Sequence, residues 1–80
     1  MNEKIHIGKK IQERMKEDRR TARWLAEQIH CDRSNIYRIY QRQHIDIEQL
    51  VQICIHLNVD LFTHYSEYIQ KQIQKKNSTV

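Results

Sequence analysis

Apolar residues recur at helical spacing along most of this chain. Ile7, Ile11 and Met15 repeat every four residues, with Lys9, Lys10, Glu13, Arg14 and Lys16 on the other faces; the pattern predicts a helix over residues 4–18. Asp18-Arg19-Arg20 then breaks the pattern, and Thr21 stands where an N-cap is needed. Residues 22–29 predict a short second helix with Leu25, Ala26 and Ile29 on one face and Trp24 at its edge. His30-Cys31 forms a turn, and Asp32 is placed to cap a third helix over 33–41. In that helix Ile36 and Ile39 share one side, while Arg33, Ser34, Tyr37 and Arg38 occupy others. Cys31, just ahead of the cap, is positioned to pack on Ile36 as a hydrophobic staple.

A loop over 42–45 leads to Asp46, which begins a capping box with Gln49 and opens a fourth helix over 47–57. Ile45 and Leu50 repeat the staple, and Leu50, Ile53, Cys54 and Leu57 form the stripe expected to be buried. Asn58-Val59 is the connection, and Asp60 is expected to cap a last helix with Leu61, Phe62, Tyr65, Ile69 and Ile73 as its apolar positions. The polar end from Lys75 to Val80 is expected to fray. The pattern predicts an all-α fold, a compact bundle of five short helices, with a domain over 1–68 and a C-terminal extension over 69–80.

Composition agrees. Eighty residues make one small domain with room for about a dozen large apolar side chains, and not for a deep cleft as well. Proline is absent and Gly8 is the single glycine, so the tight turns of a β-sandwich or barrel have no obvious source. The net charge of +4 is uneven: residues 1–42 carry eleven Lys/Arg against six Asp/Glu, and residues 43–80 carry three against four. A polyanionic partner would meet the first half. Cys31 and Cys54 are too few for a disulfide scaffold, and no apolar run reaches the length of a signal segment or membrane span. A cytoplasmic setting with reduced thiols follows as the expectation.

No metal, cofactor or small-molecule ligand is expected. His30-Cys31 and Cys54-x-His56 are the close Cys/His pairs, and neither has the spacing of a structural zinc site. A Cys/His nucleophile lacks an orienting third group, and there is no glycine-rich phosphate loop, so the chain does not read as an enzyme.

The informative stretch is 22–41. Two helices joined by about three residues meet at a steep angle, which requires a small residue at their closest approach and apolar residues on both inner faces. Ala26 meets the first requirement; Leu25, Ile29, Cys31, Ile36 and Ile39 meet the second. With Thr21-Ala22-Arg23-Trp24 ahead of them, Asp32 to Ile39 between, and Leu50, Ile53, Cys54, Leu57 and Val59 behind, these residues resemble the lambda-repressor-like, or Cro/XRE-type, helix-turn-helix regulators. The resemblance spans about Ile7 to Phe62. It departs at Ala22, where the family often has Gln; at His30, where Gly is common; and at Tyr40-Gln41-Arg42, where Glu and Gly are frequent.

The resemblance implies a DNA-binding bundle, generally a homodimer on a two-fold operator, with the third helix in the major groove. It carries base contacts onto Arg33, Ser34 and Arg38, with Asn35 and Tyr37 as neighbours. The chemistry suits this, since an Arg fork bonds guanine O6 and N7 and Ser serves either base. Phosphate contacts fall to Thr21, Arg23, Arg42, Gln43, Arg19 and Arg20. Tyr65, Ile69 and Ile73 extend an apolar seam past what one small core covers, and are the expected homodimer interface. The competing reading is a protein-interaction module on the same fold, antitoxin-like or a mobile-element accessory, with little DNA specificity. RNA binding has less to recommend it, because no aromatic strand platform is present to stack bases.

Overall fold

The computed structural model describes residues 4–78, and five helices account for most of them. They are α1 (Ile7–Glu17), α2 (Ala22–Gln28), α3 (Arg33–Gln41), α4 (Ile47–Leu57) and α5 (Thr63–Ser78).

Local chemistry sets most of these limits. The His6 side chain accepts from the Lys9 N–H at 3.1 Å, so α1 begins at Ile7 and not at residue 4. It closes through Arg19 at φ 55°, with the Arg20 N–H donating back to the Met15 carbonyl at 2.9 Å. Thr21 caps α2 as expected, its hydroxyl oxygen accepting from the Trp24 N–H at 3.0 Å. Helix α2 stops at Gln28, one residue early, with Ile29 as its C-cap. His30 takes the left-handed conformation at φ 59°, and the Cys31 N–H reaches back to the Ala26 carbonyl at 2.9 Å. Asp32 occupies the N-cap position of α3 but its side chain makes no capping bond; its backbone carbonyl accepts from the Asn35 N–H instead.

Helix α4 has the expected limits, and Asp46 accepts from the Gln49 N–H at 3.3 Å. Asn58, at φ 56°, ends it. The start of α5 corrects the sequence reading. Asp60 accepts from the Phe62 N–H at 2.9 Å and its carbonyl accepts from the Thr63 hydroxyl, so a side-chain-closed turn precedes the helix. Leu61 and Phe62 lie in that turn, and α5 starts at Thr63. Its far end is a second correction: Lys75 to Ser78 are helical, not frayed, while Thr79 and Val80 lie outside the described residues. Gln and Lys are good helix formers, and Lys75 and Lys76 complement the negative end of the helix dipole. Helix α5 runs unbroken across residue 68.

The core is one cluster: Ile7, Ile11 and Met15 from α1, Ala22, Leu25 and Ala26 from α2, Ile36 and Ile39 from α3, Leu50, Ile53 and Leu57 from α4, and Leu61. Ile29, Cys31, Cys54 and Tyr65 pack against it half-buried, as do Trp24 and Tyr40 at its margin. Helix α3 packs against both α1 and α2, and α4 against α2. An 80-residue globule would have a radius of gyration of about 12 Å; the observed 14.5 Å, with extents of 50 × 23 × 22 Å, reflects an α5 whose residues 69–77 are all exposed.

Gly8 is buried where α1 crosses the end of α3. A Cβ there would lie 2.5 and 2.6 Å from the carbonyl oxygens of Tyr40 and Arg42, and nearer still to that of Ile39. The absent side chain lets the first turn of α1 donate its free amides outward, Ile7 to the Gln43 carbonyl at 3.2 Å and Gly8 to the Arg42 carbonyl at 3.0 Å. Helix α1 thus pins the loop that follows α3.

Candidate nucleic-acid interface

At about 100° per residue, Arg33, Ser34, Tyr37, Arg38 and Gln41 fall within an arc of about 140° on α3. All five are exposed. Ile36 and Ile39 lie on the opposite side at 0 % and 2 % exposure, with Tyr40 half-buried beside them. Asn35 sits at the edge of the arc and is half-buried. The helix therefore divides cleanly into an apolar inner face and a polar outer one. Gln41, near the middle of the outer arc, was not singled out from the sequence, although its spacing of four from Tyr37 could have revealed it.

Electrostatics leave this face available. Among the described residues no ion pair engages Arg33, Arg38 or Arg42. Tyr37 meets Tyr40 edge-on, with ring centroids 6.0 Å apart at 84°, so the exposed ring has a fixed neighbour. Burial, with Tyr37 adding to it, pushes the Tyr40 phenol above its ordinary range; the group stays protonated.

The six residues expected at phosphates divide by what holds them. Thr21 is exposed and spends its acceptor on the α2 cap. Arg23 is exposed and reaches Glu27 at 3.6 Å, a contact too open to solvent to hold it. Arg19 is exposed in the left-handed turn just past α1, and the Arg20 guanidinium lies 4.1 Å above the Trp24 ring. Arg42 is exposed and Gln43 half-buried, and α1 holds the backbone of both. Gly8 is the positioning residue that the sequence reading passed over. Its role depends on a tertiary approach with no local signature.

The expected dimer residues lie on α5. Tyr65 is half-buried against the core, while Ile69 and Ile73 are 52 % and 45 % exposed. Among the described residues, no group of three or more His, Cys, Asp or Glu could hold a metal ion, and no helix is long and apolar enough to cross a membrane.

Comparison with known families places residues 10–62 on the Cro/C1-type HTH DNA-binding domain. No curated protein and no solved structure matches the chain.

Proposed function

Because the chain belongs to the Cro/C1-type helix-turn-helix family of DNA-binding domains, we propose that it is a sequence-specific regulator of transcription that seats α3 in the major groove of double-stranded DNA. The observation that carries the reading is the outer arc of α3, where two arginines that make no ion pair among the described residues flank Ser34 and Tyr37. Arg33, Ser34 and Arg38 read base edges, with Asn35 and Tyr37 beside them. Arg42, Gln43, Thr21, Arg23, Arg19 and Arg20 meet phosphates and set affinity and register without reading sequence.

The reading includes a homodimer, joined through Tyr65, Ile69 and Ile73 on α5, so that two copies of α3 face successive turns of the duplex. Tyr65, Ile69 and Ile73 share a face at steps of four residues, which supports it. The free thiols Cys31 and Cys54 suit a reducing, cytoplasmic setting. No catalysis enters the proposal.

Selection from random duplexes, followed by anisotropy titration of the enriched site, tests it. The wild type binds that site at least about 1,000-fold more tightly than random DNA, and Arg38→Ala removes this preference with helical content unchanged. Equal affinity for both duplexes removes the regulator and leaves the protein-interaction module.

A further inference from the structure

Three branched apolar side chains stand in a row on the outer face of α4. Ile47, Val51 and Ile55 are 68 %, 37 % and 62 % exposed, at steps of four residues. Val51 and Ile55 also line a shallow groove of about 600 Å³ together with Cys54, Val59 and Phe62, with Asn58 and Asp60 as its polar members. Scattered exposed apolar residues need no explanation, but a continuous row beside an apolar groove marks a surface that is covered in use.

The chain carries a second such row. Ile69 and Ile73 continue from Tyr65 along α5 at the same four-residue step and are about half exposed. The two rows have opposite surroundings. Residues 46–62, which include α4 and the turn after it, contain Asp46, Glu48 and Asp60 and no Lys or Arg, whereas residues 71–80, beyond Glu67 on α5, contain three Lys and no acid. Within one chain the rows do not meet, since Ile55, Ile69 and Ile73 all stay exposed.

We propose that the two rows are halves of one interface between two copies of this chain. The α5 extension of one copy lies across α4 of the other, seating Ile69 and Ile73 against Val51 and Ile55, with its lysine-rich end over the acidic margin. The exchange is reciprocal: each copy gives one extension and receives one. Such a contact has two-fold symmetry and closes as a dimer instead of growing into a filament. The matched period supplies apolar contact, and the opposite charges fix which helix meets which. The proposal rests on the dimeric part of the reading above and is independent of DNA binding. It adds the surface that receives the extension.

Light scattering on the full chain over a concentration series tests it, with helical content of each variant checked by circular dichroism. The wild type is dimeric. Ile55→Glu and Ile69→Glu, both at exposed positions, each raise the dimer dissociation constant at least about 30-fold, as expected for a central apolar contact. Mixed together, the two variants recover dimer, because the intact extension of one meets the intact α4 of the other. If Ile55→Glu loses helicity, Ile55→Gln replaces it and shows the same direction of change. A monomeric wild type overturns both the dimer and this interface. A dimeric wild type that Ile55→Glu leaves unchanged overturns the α4 assignment and spares the dimer. Failure of the mixture to recover overturns the reciprocal exchange.

Discussion

The Gly8 N–H donates to the Arg42 carbonyl at 3.0 Å, joining the first turn of α1 to the loop behind α3. The bond exists because no Cβ separates the two backbones. A helical Gly replaced by Ala at an open position gains about 0.5–1 kcal/mol. Here the sign reverses, since three carbonyl oxygens of another element would have to move. Gly8→Ala is expected to cost about 1–3 kcal/mol, or about 4–8 °C of melting temperature per kcal/mol in a domain this size. Thermal melts of the two proteins decide the sign, and a more stable variant contradicts the packing described.

His30 offers the opposite case. Its φ of 59° is one that a side chain makes costly and glycine adopts freely. His30→Gly is expected to stabilise the domain by up to about 1 kcal/mol. The turn needs that conformation whatever the side chain, so urea unfolding should shift its midpoint upward with an unchanged slope.

Arg42 separates affinity from specificity. Arg42→Ala is expected to weaken the selected duplex and random duplexes alike, and to lower the salt dependence of binding by about one counterion. Arg38→Ala should instead act on the selected duplex alone. Titrations at three salt concentrations tell the two apart; a sequence-dependent loss from Arg42→Ala would move that residue to the base edges.

Alkaline pH should loosen the fold. Burial raises the Cys54 thiol, with nearby Asp60 adding to it against a Leu61 backbone hydrogen bond, and burial likewise raises the phenols of Tyr40 and Tyr65. Above the ordinary value of each group the unfolded chain gives up a proton that the folded chain keeps, so stability falls as pH rises. The contribution is complete at neutral pH and declines from about pH 8.5 as the thiol titrates, then further from about pH 10 with the phenols. Melting temperature measured from pH 7 to 11 should hold steady up to about pH 8.5 and fall above it, and Cys54→Ala should delay the fall.

Much of the architecture was legible because its signals are local. Thr21 and Asp46 mark their helices by capping chemistry, and Ile36 and Ile39 mark the inner face of α3 by spacing alone. Leu61 and Phe62 misled, since their apolar spacing continues that of α5 while Asp60 draws the backbone into a turn. Asp32 misled in a smaller way, holding the right position without the side-chain bond. The stripe of Ile47, Val51 and Ile55 was invisible beside Leu50, Ile53 and Leu57, because a helix apolar on two sides does not announce which side faces water. Gly8 was unreadable for another reason: its partner lies more than thirty residues away. The outer arc of α3 was foreseen as a surface, and Gln41 completes it.

Trp24 is the single tryptophan of the chain, and a guanidinium lies 4.1 Å above its ring. The emission of an indole responds to a charge held over its face. A phosphate that draws Arg20 away, or presses it closer, therefore changes the light the protein emits. The turn entering α2 holds a native optical probe, and docking at that turn can be followed without any label.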